Sequence, residues 1–208
     1  MSYFSHPYLS NSDLKDFGKK IGIEREMPAN MEAIFSFGTL FHKVILEPNR
    51  VTDEDRKHPD YALADKMRLR YWEDPIARMV INGHDFEREH EFYATVQVGG
   101  MEYNARCKAD GYRNGISTLL ELKGLRVTHQ KGFEEALLNF DYDRAAVHYM
   151  LTSKCDKVLI VGISKSDPKK LFRKVVKKHD EFYAWGEEKL KDRLRLLYQY
   201  SPDDVRLL

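Results

Sequence analysis

KADGYRNGISTLLELKG, residues 108–124, places Asp110, Glu121 and Lys123 on two segments that read as strands around a tight turn. Met101, Tyr103, Ala105, Cys107 and Ala109 alternate with Glu102, Asn104, Arg106, Lys108 and Asp110. Period-two alternation predicts a strand with Asp110 on its polar face. Ile116, Thr118, Leu120 and Leu122 alternate with Ser117, Leu119, Glu121 and Lys123, so Glu121 and Lys123 share a face. Asn114-Gly115 is the pair favoured in two-residue hairpin turns. With that turn, Asp110 stands opposite Leu119 and diagonal to Glu121, and diagonal neighbours lie roughly 7–8 Å apart. A longer loop would shift this register. Two carboxylates at such range can hold a hard divalent cation, with the Leu122 carbonyl as a further oxygen ligand. A nearby ammonium can assist an attacking water, which completes the minimal chemistry for hydrolysing a phosphodiester. An ordinary hairpin with solvent-facing charges has the same spacing.

Upstream, Ser10-Asn11-Ser12-Asp13 is rich in capping residues and leads into a first helix. Phe37, Leu40, Phe41, Val44 and Ile45 recur at helical spacing, which predicts a helix over Phe37–Leu46 that stops before Pro48. His42 lies on that helix, turned partly inward, where it is either a packed core residue or a ligand. Arg50–His58 reads as a loop. Tyr61–Trp72 and Pro75–Asn82 read as helices, the second capped by Asp74. His84–Val98 reads as one strand with Glu89 and Glu91 on one side, and Gly99-Gly100 as a hairpin turn. Downstream, Gly132–Leu151 reads as one helix that buries Phe133, Leu137, Phe140, Val147 and Met150. KVLIVGIS, residues 157–164, suits a central strand, Leu171–Val176 a further strand, and Lys178–Tyr198 a long amphipathic helix. The whole predicts an α/β class fold, a central mixed β-sheet flanked by helices, as one domain over residues 1–208.

At 208 residues and 42% hydrophobic content there is enough apolar material for one sizeable core. No apolar run approaches the roughly 18 residues of a membrane span, so no membrane partner is expected. The opening MSYFSHPYL lacks the pattern of a signal peptide. Cys107 and Cys155 are too few for a disulfide scaffold or a four-cysteine iron–sulfur cluster, and a reducing cytoplasm is the expected compartment. Net charge is only +1, yet Lys154–Arg195 holds ten Lys and three Arg against four Asp and three Glu. Lys169, Lys170, Arg173, Lys174 and Lys177 crowd one stretch and are candidates for binding nucleic-acid phosphates. A solvated basic face would look the same.

Four stretches together resemble the PD-(D/E)XK nuclease superfamily and, within it, the RecE-type (exonuclease VIII-like) branch. YLSNSDLKDF is similar to that branch's opening helix signal, and FGTLFHKVILEP to its Gly-Thr-x-x-His…Leu-Glu-Pro helix. ARCKADGYRNGISTLLELKG is similar to its Asp…(Asp/Glu)-x-Lys core, and GFEEALLNFDYDRAAVHYM to the helix that follows. The ordered set spans most of the chain from Tyr8 to Met150. The resemblance implies a restriction-endonuclease-like core with Asp110, Glu121 and Lys123 as the catalytic triplet. It places His42 on the family's metal-site histidine and Tyr149 on its post-core tyrosine. Glu91 is the candidate for the extra glutamate that often precedes the core. The family's usual Gln, four residues before the Tyr, is replaced by Ala145. Arg144 and His148 are the neighbouring polar candidates for its place.

Oxygen-rich ligands favour Mg²⁺ or Mn²⁺ as cofactor, with His42 holding or tuning a second ion. The resemblance further implies digestion of linear double-stranded DNA from the 5′ end, in recombination or repair. It implies a ring-like homo-oligomer and a single-strand annealing protein as partner. A related endonuclease or repair nuclease, and a DNA-binding protein with a decayed site, are the alternatives.

Overall fold

The computed structural model describes residues 3–23 and 30–200. Met1, Ser2 and the last eight residues of the expected 1–208 domain lie outside them. The α1 helix, Asn11–Lys20, starts where the sequence places it. Ser10 accepts from the Asp13 N–H while the Asp13 carboxylate accepts from the Ser10 N–H, a reciprocal cap typically worth about 1 kcal/mol. The α2 helix runs Met31–Leu46, longer than the expected Phe37–Leu46, and ends before Pro48. The expected loop 50–58 contains a short helix, α3, Asp53–Lys57, because Thr52 and Asp55 form a second capping box there. The α4 and α5 helices follow at Tyr61–Glu73 and Pro75–Ile81. Asp74 ends the first and caps the second, its carboxylate accepting from the Ile76 and Ala77 N–H groups.

The expected strand 84–98 is two strands in two sheets. β1 spans Phe86–Arg88 and β2 spans Glu91–Val98. Glu89, at φ 48°, turns the chain between them, so the alternation does not carry across. β3, Met101–Lys108, pairs with β2 through the Gly99-Gly100 turn at positive φ, and Leu9 adds a one-residue parallel bridge to Ala105 on its other side. The chain then crosses back at Ala109-Asp110 into β4, Gly111–Arg113. The two crossings are stitched together: Ala109 N–H donates to His90 O and Glu89 N–H to Asp110 O.

The main sheet has the order β1-β4-β5-β6-β7, where β5 is Thr118–Leu125, β6 Lys157–Ser164 and β7 Leu171–Lys177. Only the β5/β6 pair is parallel, so the sheet is mixed. Helices cover both faces. Leu120 and Leu122 point into a core shared with Phe37, Phe41 and Val44 of α2 and Met67 of α4. Leu119, on the opposite face, joins Val147 and Met150 in the second core. β6 is buried on both sides, as its unbroken apolar run requires.

The expected helix 132–151 is broken into α6, Gln130–Asn139, and α7, Tyr142–Ser153. Asp141, at φ 56°, makes the break, which turns Phe140 out to 50% exposure rather than into the core. The α8 helix runs Glu181–Tyr200, starting after Asp180, whose carboxylate accepts from the Tyr183 N–H at 2.7 Å. Gly186 lets α8 lie against α7: a Cβ there would run into the Asp143 backbone carbonyl. We expect Gly186→Ala to lower unfolding free energy by roughly 1–3 kcal/mol, read from urea denaturation, because backbone cannot yield as a side chain does.

Candidate active site

The β4/β5 ladder decides where the carboxylates meet. Gly111 pairs with Leu120 and Arg113 with Thr118. The connection is therefore four residues, Asn114–Ser117, rather than the two-residue Asn114-Gly115 turn. Asn114–Ile116 form a 3-10 turn and Ser117 sits at φ 45°. Asp85 holds this loop, accepting from Gly115 N–H at 2.5 Å and from Arg113 Nε at 3.1 Å. The register is moved by two residues from the expected one. A shift of two keeps every side chain on its face but carries Asp110 past Leu119 to the level of Glu121.

Since β4 begins only at Gly111, the edge of β5 beyond Leu120 has no strand beside it on that side. Leu122 presents its backbone there, and side chains complete it. Its N–H donates to Asp110 Oδ2 at 2.7 Å, and its carbonyl lies 3.1 Å from His42 Nε2. The other nitrogen of His42, Nδ1, lies 3.1 Å from Asp110 Oδ1. Both neighbours are acceptors, so the ring satisfies both only as imidazolium. Glu121 and Lys123 project together, with Nζ 2.8 Å from Glu121 Oε2. Asp110, Glu121 and Lys123 side chains are only 11–18% exposed.

These charges act strongly on one another. Burial pushes Glu121 up, and the Asp110 carboxylate adds to it, to about 7, against the pull of Lys123. Burial would raise Asp110 too, but the charges of His42 and Lys123 and the bonds from His42 and Leu122 hold it at about 2. Burial works against charge on Lys123 and His42, yet the carboxylates outweigh it and raise both.

His42 therefore stands beside the carboxylates and is no isolated core residue. Tyr149, on α7, is close enough that Glu121 and Asp110, after burial, raise its hydroxyl pKa well above the usual range. Glu91 is not brought in. It is exposed on β2, where Tyr93 donates to it at 2.9 Å. Glu89, redirected by its left-handed backbone, lines the cleft instead and pairs with Lys108 at 2.8 Å. Neither neighbour of Ala145 replaces the missing Gln. His148 is buried between Tyr103 Oη, at 3.0 Å, and the Arg106 carbonyl, at 2.9 Å, and Arg144 is bonded to Asn11. Tyr142, which the sequence reading passed over, lies over Lys123, Nζ 5.2 Å from the ring centre.

A cleft of about 660 Å³ opens over His42, Leu122 and Lys123, between α2 and Tyr142. Its lysines and arginine are Lys43, Arg50, Lys123 and Lys165, and none of Lys169, Lys170, Arg173, Lys174 and Lys177 lines it. Those five lie on or beside the edge strand β7, separated from β5 by β6. Arg173 pairs with Asp74 at 3.2 Å, Lys170 with Asp167 at 3.6 Å and Lys174 with Glu134 at 3.9 Å. A run of basic letters cannot reveal acids that arrive from α5, α6 and the preceding turn.

Among the described residues, no three His, Cys, Asp or Glu side chains stand already in metal-ligating geometry. The donor set nonetheless fits a hard cation. Asp110 and the Leu122 carbonyl are bridged by one imidazole, and Glu121 Oε1 is buried without a hydrogen-bond partner. Oxygen acceptors converge there in excess of protons.

No family model matches the sequence, and no curated protein matches it. Among solved structures, a Eubacterium rectale protein named "Putative exonuclease" is 14% identical and superposes with a TM-score of 0.59. The match covers 99% of this chain and 85% of that one. A phage related exonuclease from Haemophilus somnus 129PT is 12% identical, with a TM-score of 0.45 over 92% of this chain and 95% of its own. At these identities the likeness is one of fold. The chain shares the Eubacterium rectale structure's fold, which here is an α/β architecture with a mixed five-stranded sheet between helices. No helix among the described residues is long and apolar enough to cross a membrane.

The raised Glu121 has a consequence for stability. Between about pH 4.5 and 7 the folded state keeps a proton that the unfolded state has lost, so stability falls as pH rises. His42 adds to this trend above its ordinary value, since its folded form also holds the extra proton. In chelator, the melting temperature is expected to drop from pH 5 to pH 8, and Glu121→Gln to flatten that limb. A profile identical in wild type and variant would contradict the assignment.

Proposed function

We propose that the chain is a metal-dependent deoxyribonuclease of the RecE-type branch of the PD-(D/E)XK superfamily, acting on linear double-stranded DNA. The carrying observation is the convergence of Asp110, Glu121, the Leu122 carbonyl and Lys123 at the open edge of β5. The shared fold and the ordered sequence motifs support the same reading.

Asp110, Glu121 and the Leu122 carbonyl would hold Mg²⁺ or Mn²⁺, with His42 as a nitrogen donor beside them. When bound, such an ion acts as a Lewis acid toward the phosphate and lowers the pKa of water. Asp110 is the fixed point, because the Leu122 N–H pins one oxygen and leaves the other toward His42. Lys123 stays protonated, since both carboxylates raise its pKa. Its part is therefore to orient the attacking water and stabilise the anionic phosphorane-like charge, rather than to accept a proton. Tyr142 covers the ammonium on one side, which strengthens these interactions.

Digestion from the 5′ end, a homo-oligomer around the DNA, a single-strand annealing partner and a cytoplasmic role in recombination or repair extend the proposal. They rest on the motif resemblance. Purified protein with Mg²⁺ should release nucleotides from 5′-labelled linear duplex and spare covalently closed circles. Asp110→Asn and Lys123→Ala should each cut the rate by ~10²–10⁴-fold. Rapid loss of closed circles would favour the endonuclease alternative, and wild-type activity no greater than that of the variants would favour a decayed DNA-binding protein.

A further inference from the structure

We propose that Lys165, Phe37 and Gly124 form a phosphate subsite for the DNA strand next to the scissile bond, an inference that rests on the nuclease reading above. Besides His42, which is paired with Asp110 at 3.1 Å, four cations line the cleft. Lys43 pairs with Asp55 at 2.6 Å, Arg50 with Glu47 at 3.2 Å and Lys123 with Glu121 at 2.8 Å. Lys165 alone among them has no carboxylate at ion-pair distance among the described residues; Asp60 acts on it from farther off. Its Nζ sits 3.8 Å from the centre of the Phe37 ring. A cation held over an aromatic face keeps its N–H groups available on the side away from the ring.

The setting is built to keep that ammonium in place. The Lys165 backbone N–H donates to Leu125 O at 2.8 Å, which ties the residue to the end of β5. Gly124 lies directly after Lys123, and a Cβ there would press on Phe37 Cε1 at 3.0 Å and Lys165 Cε at 3.1 Å. The missing side chain thus leaves room for the stacked pair beside the catalytic strand. Burial, with the Arg126 charge, lowers the Lys165 pKa against the weaker opposing pull of Asp60, so the charged form is under-solvated as it stands. An anion delivered into the cleft would relieve that cost. A phosphodiester oxygen is the anion that a strand seated over Lys123 brings there.

The test is DNA binding by the intact protein with Ca²⁺ in place of Mg²⁺, read by fluorescence anisotropy on a labelled linear duplex over a salt series. Lys165→Met is expected to weaken binding about tenfold, the size of one charged hydrogen bond. It should also reduce the slope of log K against log salt by about one. Lys165→Arg is expected to keep the slope, and Gly124→Ala to imitate Lys165→Met by displacing the pair. An unchanged slope in a Lys165→Met protein that still binds and cleaves DNA overturns the subsite and leaves the nuclease reading intact. Absence of DNA binding by the wild type overturns both. A melting temperature lowered in Lys165→Met with the slope unchanged assigns the residue a packing role only and overturns the proposal.

Discussion

The site depends on one unfinished strand edge. β5 runs on past the start of β4, so Leu122 presents an N–H and a carbonyl with no neighbouring strand to take them. Backbone groups that are buried must be bonded, and here two side chains do it: Asp110 takes the N–H and His42 meets the carbonyl. Satisfying a structural requirement thus brings a carboxylate, an imidazole and a carbonyl together. Glu121 and Lys123 flank the same residue and follow automatically from the strand's alternation. The crossing between the two sheets makes this possible, because the chain must leave β3 and enter β4 at Ala109-Asp110.

The electrostatics follow from the same crowding. Asp110 and Glu121 are too close and too buried to share the cost of ionisation equally. Asp110, with a backbone N–H and His42, keeps its charge, while Glu121 gives way. Lys123 and His42 match the two carboxylates in charge, yet Glu121 Oε1 is left buried without a hydrogen-bond partner. On the proposed function, a divalent ion would meet that oxygen and take over the contacts that His42 makes. The arrangement is one in which the protein holds its acceptors at the ready rather than hiding them.

Much of this was legible in the sequence. Alternation placed Glu121 and Lys123 on one face of β5, and helical spacing placed His42 on a helix packed against the sheet, whereas Asp110 lies past the end of β3 in the crossing to β4. The alternation of elements pointed to an α/β fold with a central mixed sheet between helices. The register was not legible, because the loop after Arg113 is held by Asp85 from another element. Left-handed residues explain two further misses. Glu89 splits a strand and brings itself, rather than Glu91, to the cleft, and Asp141 breaks a helix and exposes Phe140. Neither residue type announces such a backbone. The basic stretch of β7 was legible as charge but not as position, since its acid partners come from distant elements. Lys165, a single lysine after an apolar run, carried no signal until Phe37 and Gly124 were seen beside it.

The most direct measurement is a manganese anomalous difference map from crystals grown with Mn²⁺. The account expects a peak within ligand distance of one oxygen each from Asp110, Glu121 and the Leu122 carbonyl, with His42 turned toward it. Saturating Mn²⁺ with no peak there, or a peak that leaves the His42–Asp110 and Leu122 contacts undisturbed elsewhere in the molecule, would contradict it.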